Sequence, residues 1–398
     1  MYGIVLEGGG AKGSYQAGAY KAISENGLEI SAVAGTSIGA LNGAMIVQGE
    51  FETCIDLWND IKYSDIIRDN DQEINRLLHT RPDRHTVKLV ADKLRGVILN
   101  KGFDITPFKE MIAKYVNEDA IRRSPIEFGI STYNLTDRTP MELFKGDIPE
   151  GEMRDYLLAS AYVPFFRLEK IGGKTFLDGW FSDNLPYHML LNKGFRKLII
   201  LRTHQMDQGD LDDLTYLNPM VIAPSEDLGR TFDLDGRRIR KNMKMGYLDA
   251  SRELKGLVGN RYYILPKDEE FYFNYLANLG EERLRALGDL LNLDASPSLS
   301  LLFGEIIPRL WSMLDIEKNH DYQWFVISLL ERALVHLGKD RFEIFDFEDL
   351  RDYISMNSSR LENREITMYD TIINRFGRLV PFNREEILLR AARIILTD

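Results

Sequence analysis

The strongest constraint on this chain is the place of one serine. Gly35-Thr36-Ser37-Ile38-Gly39 follows the apolar Ala32-Val33-Ala34 and runs into a small-residue helical stretch, Ala40 to Val47. A serine between two glycines at a strand-to-helix turn has a mechanical meaning. The turn is too sharp for bulky neighbours, so Gly35 and Gly39 keep close backbone contacts open. The Ser37 hydroxyl then stands exposed above a sheet, at the N-terminal end of a helix whose dipole favours developing negative charge. Only one strand and one helix fit before it: Gly3-Ile4-Val5-Leu6-Glu7, and a helical stretch from Ser14 to Asn26. An α/β-hydrolase nucleophile sits deeper in its chain and is followed by acid and then histidine, so this chain is expected to be built differently. Between its first strand and helix lies Gly8-Gly9-Gly10-Ala11-Lys12-Gly13. Two glycine-built turns therefore end two successive strands of one βαβ unit. In a right-handed parallel unit both lie at the carboxyl edge of the sheet, where α/β proteins place their sites.

Three readings of Gly8–Gly13 compete. The segment matches a dinucleotide fingerprint, but that needs an acidic residue about 20 positions on at the end of the second strand; Val33-Ala34-Gly35 stands there, and Glu29 comes too early. It is not a P-loop, because Lys12 precedes Gly13 and no Gly-Lys-Ser/Thr follows. An ordinary tight βα turn remains open, although it does not call for three consecutive glycines. The third reading is a loop whose backbone N–H groups form an oxyanion hole beside the elbow serine.

A nucleophilic Ser37 needs a base. The six histidines are His79, His85, His188, His204, His320 and His336, and none sits in a glycine-flanked or strand-end context. His336 lies on an apolar helical stretch, and His79 and His85 in a charged loop. Asp178 is the better candidate. In Gly172-Gly173-Lys174-Thr175-Phe176-Leu177-Asp178-Gly179-Trp180 a hairpin-like turn leads into a short apolar strand that ends in Asp-Gly. A surface Asp-Gly turn is the plainer alternative. An acid at the lip of apolar surroundings, however, holds a raised pKa and works as a base.

These residues carry a resemblance to the patatin-like phospholipases. The family's marks are a Gly-rich loop with a basic residue, a G-x-S-x-G elbow close behind it, an Ala-Ser-x-x-x-Pro segment and a later Asp-Gly-Gly or Asp-Gly-Ala. This chain has Gly8–Gly13 with Lys12, Gly35–Gly39, Ala159-Ser160-Ala161-Tyr162-Val163-Pro164 and Asp178-Gly179, with Trp180 in place of the small third residue. The resemblance spans residues 8–180 and continues more loosely through Asp227-Leu228-Gly229-Arg230 and Met245-Gly246-Tyr247. It implies a Ser37–Asp178 dyad without histidine, oxyanion donors from Gly8, Gly9, Gly10, Ala11, Lys12 and Gly13, an elbow of Gly35, Thr36, Ile38 and Gly39, and an acid turn at Gly179 and Trp180. It implies hydrolysis of lipid acyl esters with no cofactor and no metal.

The expected fold is a three-layer α/β/α core with a mostly parallel sheet over residues 1–255, followed by an all-helical domain over 256–398. The core strands are Gly3–Glu7, Ala32–Ala34, Glu127–Asn134, Lys174–Leu177 and Lys197–Leu201, with a mostly helical insertion over about 51–123. That insertion is expected either to form part of a lid or to pack as a layer on the sheet. In the C-terminal part, Asp321–Gly338 and Asn383–Thr397 are amphipathic, and Ser300–Leu314 is broadly apolar and interrupted by Pro308. Their apolar faces are to be covered by the core, by one another or by a second copy, so a homo-oligomer is compatible with the pattern. This half is expected to control access to the site or to serve as a passive cap.

With 398 residues and a net charge of −11, the chain can bury a sizeable core and is not built for nucleic acid or for electrostatic docking on anionic lipid. The cluster Arg237-Arg238-Ile239-Arg240-Lys241 reads as a solvated helix face. A single cysteine, Cys54, leaves no internal disulfide. The short stretch before the first strand is not expected to act as a basic-then-apolar leader, and the expected location is cytoplasmic, with peripheral contact to a membrane through the lipid ester substrate. A lipid-binding effector with little basal catalysis, controlled by its C-terminal domain, is the alternative.

Overall fold

Near-continuous burial along the strands explains the central sheet. β1 (Tyr2–Leu6), β2 (Ile30–Thr36), β3 (Glu127–Asn134), β6 (Leu198–Leu201) and β7 (Met220–Ile222) run parallel in the order β3-β2-β1-β6-β7. β4 (Thr139–Phe144) and β5 (Phe176–Asp178) are antiparallel to β3. The strands are apolar on both faces, as parallel strands covered by helices must be. Val5, Ala32, Ala34, Leu198 and Ile200 share one face with Met189 and Leu190 of a short helix, Tyr187–Asn192. Leu6, Val33 and Phe128 point the other way, beneath the glycine at position 43 in α2 (Ile38–Gln48). The computed structural model describes residues 1–68, 102–164, 166–207, 209, 211–314, 321–362 and 381–397.

The chain divides into two compact units, Met1–Leu254 and Lys255–Asp398. In the first, α1 (Gly13–Glu25) crosses the long helix Gly236–Lys255 at glycines: a Cβ on Gly246 would lie 2.0 Å from the Tyr15 carbonyl oxygen. Within the insertion, α3 (Phe51–Asp60) and α4 (Thr106–Tyr115) are helical; the loop at 79–85, with His79 and His85, lies outside the described residues, as does His320.

The second unit is a helical assembly around one core in which Phe325, Leu329, Leu330 and Ala333 meet Leu388, Ala391 and Ile395. It also holds one small sheet absent from the sequence reading, Tyr263–Ile264 paired in parallel with Ile344–Phe345. The expected helix Ser300–Leu314 is broken into Leu299–Leu301, a π-helical turn Leu302–Ile306 and Ile307–Met313. Pro308 donates no N–H and crowds the preceding turn, so a wider turn comes before it. Leu302, Ile306 and Leu310 are buried, which makes the segment core.

Candidate active site

β3 joins the two halves of the site. Its residues pair with β2 as far as Thr36↔Ser131. β2 then ends, and the next position of β3, Thr132, pairs with Asp178 of β5. β5 thus continues along the edge that β2 vacates, and the residue after Thr36 meets Asp178. Ser37 Oγ donates to Asp178 Oδ2 at 2.6 Å across 141 residues of chain. Ser37 is 8% exposed and Asp178 4%.

The elbow is strained and held. Ser37 has φ 56° and ψ −125°, a conformation that costs a non-glycine residue on the order of 1–3 kcal/mol. Close approach requires the flanking glycines: a Cβ on Gly39 would lie 2.3 Å from the Leu6 carbonyl oxygen, and one on Gly35 2.5 Å from Gly39. The Ser37 N–H donates to Ser160 Oγ at 2.8 Å, and the Ser160 hydroxyl donates to the Ser131 carbonyl at 2.6 Å. Ser160, recognised in the sequence only as part of a motif, is therefore the strut that ties the elbow to β3.

Asp178 Oδ1 accepts the Trp180 N–H at 2.9 Å, and its own N–H donates to the Tyr162 carbonyl at 2.7 Å. Burial pushes the Asp178 carboxyl up to about 6, against the hydrogen bonds from Ser37 and Trp180 that lower it. It is thereby a stronger base than an exposed aspartate while still ionised at neutral pH. No histidine bonds to this pair among the described residues. His204 lines the same cleft, but its Nδ1 lies 3.4 Å from Glu7 Oε1 and 3.2 Å from Thr203 Oγ1.

The glycine loop divides its N–H groups. Gly8 donates to the Asn184 carbonyl at 3.0 Å, Ala11 to Thr231 at 2.7 Å and Lys12 to Gly9 at 3.3 Å, and Gly13 turns back to Gly10 and Ala11. Among the described residues the N–H groups of Gly9, Gly10 and Ile38 meet no acceptor, and all three residues line the cleft. Ile38 follows Ser37 at the start of α2, the position from which the helix of a G-x-S-x-G elbow supplies an oxyanion donor. Beneath the loop, Glu7 is buried. Burial alone would raise its carboxyl, but the His204 hydrogen bond, the Arg202 guanidinium and the Thr203 N–H outweigh this and hold it below the usual range.

The cleft opens into a cavity of about 660 Å³. Leu41 and Met45 of α2, Leu57 and Trp58 of α3, and Phe108 and Ile112 of α4 line it. The described ends of the insertion are therefore cavity wall. Asn42, which in the sequence merely interrupts an apolar run, organises that wall: its Oδ1 accepts Trp58 Nε1–H at 3.0 Å, and its Nδ2 donates to the Gly13 carbonyl at 3.0 Å. Cys54 also lines the cavity; burial pushes its thiol up to about 12, so it stays protonated. At the mouth, Trp180 and Phe181 are 63% and 43% exposed, with their rings edge to face at 5.1 Å. Among the described residues no cluster of three or more His, Cys, Asp or Glu could hold a metal ion, and no helix is long and apolar enough to cross a membrane.

The model of the patatin-like phospholipases matches residues 4–191. A patatin-like phospholipase domain-containing protein of Caenorhabditis elegans is 28% identical over 215 residues, covering 54% of this chain and 17% of that protein. A lysophospholipase of Aspergillus terreus is 56% identical over 224 residues, again 54% of this chain and 12% of that protein. The chain thus spans less than a fifth of the length of these relatives. Among solved structures, VipD from Legionella pneumophila aligns over 99% of this chain and 91% of its own, at 14% identity and a TM-score of 0.41.

Proposed function

Residues 4–191 belong to the patatin-like phospholipase family, and from that premise we propose that the protein is a serine acyl hydrolase acting on lipid esters, with Ser37 as nucleophile and Asp178 as base. The observation that carries the reading is the 2.6 Å Ser37–Asp178 hydrogen bond at the mouth of an apolar cavity. An acyl chain lies in the cavity between α3 and α4, with its ester carbonyl over Ser37. Asp178 accepts the Ser37 proton as Oγ attacks the carbonyl carbon. The carbonyl oxygen takes the negative charge and is stabilised by the N–H groups of Gly9, Gly10 and Ile38. Asp178 then hands the proton to the departing alkoxide, leaving an acyl-Ser37 ester. Water attacks that ester, Asp178 takes its proton, and the fatty acid leaves as Ser37 recovers hydrogen.

The exposed Trp180–Phe181 pair suits contact with a lipid surface, where aromatic rings sit at the interface between water and acyl chains. With a net charge of −11, that surface is zwitterionic rather than anionic. The alternative reading, a lipid-binding effector with little basal catalysis, keeps the cavity but not the chemistry. One experiment separates the two. A fluorophosphonate should label wild-type protein at Ser37, and Ser37→Ala should lower ester hydrolysis by on the order of 10³-fold or more while leaving the fold intact. Turnover retained by purified Ser37→Ala protein refutes the mechanism.

A further inference from the structure

We infer that Thr203 is a positioning residue for the oxyanion hole: its hydroxyl sets the direction of the Gly9 N–H by gripping the carbonyl on the other side of the same peptide plane. The inference rests on the hydrolase reading above and adds a residue to it.

Three consecutive glycines let the loop pack closely on its neighbours, since a Cβ on Gly8 would lie 2.3 Å from Asn184 Oδ1 and one on Gly10 2.3 Å from the Thr231 carbonyl oxygen. They also remove every side chain that would restrict the peptide between Gly8 and Gly9. Glycine populates both signs of φ, so that peptide can rotate about its flanking bonds and turn its N–H away from the substrate. An oxyanion hole stabilises a transition state only if its donors are already oriented, so something outside the loop has to hold the plane.

Thr203 does so. Its Oγ1 donates to the Gly8 carbonyl at 2.8 Å, a much shorter contact than the 3.4 Å from Asn184 Nδ2 to the same oxygen. The peptide is planar and trans, so C=O and N–H point in opposite directions; fixing the Gly8 carbonyl on Thr203 directs the Gly9 N–H to the opposite side. That N–H meets no acceptor among the described residues, and Gly9 lines the cleft. Thr203 is packed against the loop as well, since a Cβ on Gly9 would lie 2.7 Å from its hydroxyl.

Thr203 is itself held. Glu7 Oε2 accepts the Thr203 N–H at 2.6 Å and Arg202 Nε at 3.2 Å. Gln16 Nε2 donates to the Glu7 carbonyl at 2.7 Å. Glu7 immediately precedes the loop, so the carboxylate that anchors Thr203 and the glycines that Thr203 orients move as one body. The Thr203 hydroxyl has one proton and three groups in reach, the Gly8 carbonyl at 2.8 Å and Glu7 Oε2 and His204 Nδ1 at 3.2 Å each. The shortest contact is to the loop, and Arg202 and the Thr203 N–H already occupy Glu7 Oε2.

The test is Thr203→Val beside Thr203→Ser in the full chain, with a fluorogenic acyl ester. Valine keeps the shape and removes the hydroxyl. Complete loss of one oxyanion donor costs about 10²–10³ in kcat; a peptide freed to rotate keeps part of the donor, so the expected fall is roughly 10–100-fold. KM should change far less, and affinity for a trifluoromethyl ketone transition-state analogue should fall with kcat. Thr203→Ser should restore kcat to within a few-fold of wild type. Equal kcat for the valine and serine variants overturns the inference, as does a loss confined to KM. If the valine variant does not fold, Thr203→Ala against Thr203→Ser decides: both lack the methyl group and only one keeps the hydroxyl, so matching kcat values overturn the inference and a deficit only in alanine supports it. Wild-type protein that a fluorophosphonate does not label at Ser37 overturns this inference together with the hydrolase reading. Labelled wild type with an unimpaired valine variant overturns this inference alone.

Discussion

Replacing Asp178 by Asn should abolish catalysis and stabilise the protein, in a pH window that the burial of the carboxyl sets. The folded chain raises Asp178 from 3.8 to about 6. Between those values the folded state holds a proton that the unfolded state has released, so stability falls as pH rises. At 1.36 kcal/mol per pH unit, the wild type loses about 3 kcal/mol from this group between pH 3.8 and pH 6. Asparagine carries no charge and loses nothing there. It can still accept the Trp180 N–H or the Ser37 hydroxyl, but not both through carboxylate oxygens, which offsets the gain by about 1 kcal/mol. The stability of Asp178→Asn relative to wild type should therefore rise through pH 4–6 and level off about 2 kcal/mol higher above pH 6.5. Urea unfolding of both proteins at pH 4 and at pH 8 measures it, and the difference cancels every other titrating group. The same variant should lose ester hydrolysis by on the order of 10³-fold, and wild-type kcat/KM should rise with pH through an apparent pKa near 6. A variant that is less stable than wild type by the same amount at both pH values refutes the claim that Asp178 is held ionised against its environment.

Ser160→Ala removes the acceptor of the Ser37 N–H and the donor to the Ser131 carbonyl; loss of about 2–4 kcal/mol in urea unfolding is expected, with kcat down about 10²-fold as the elbow shifts. Met45→Trp narrows the cavity wall; kcat/KM for long-chain esters should fall relative to short soluble ones, and equal changes for both refute the assignment of the cavity to the acyl chain. Gly39→Ala drives a methyl group against the Leu6 carbonyl at 2.3 Å; it should destabilise the fold by more than about 2 kcal/mol in thermal unfolding. Trp180→Ala should weaken binding to zwitterionic vesicles in a sedimentation assay on a Ser37→Ala background, and unchanged partitioning refutes the lipid-facing lip.

The local geometry of this protein is written in short stretches of sequence. Three glycines after an apolar strand, a serine between glycines before a small-residue helix and an aspartate closing a short apolar strand each dictate a backbone conformation from their own side chains. The longer parallel strands β1, β2, β3 and β6 were legible because they are apolar on both faces. β4 and β7 were not. Thr139–Phe144 is a half-exposed edge strand containing Pro140, and Met220–Ile222 is three residues long, so neither carries a periodic signal. What only the tertiary structure decided is which distant groups meet. Nothing near Asp178 in the sequence says that β5 continues the edge β2 leaves, and that register alone brings its carboxylate to Ser37. Thr203 on the Gly8 carbonyl and Asn42 behind the cavity wall are ordinary polar residues in sequence, and Ser160 beneath the elbow is a motif position with no stated role. Each acquires its role because burial leaves one specific backbone or side-chain group within reach, and a buried polar group must be bonded to what lies there. Local conformation is a property of neighbouring residues, whereas a site is made of contacts between distant ones, and strand register and packing choose those contacts.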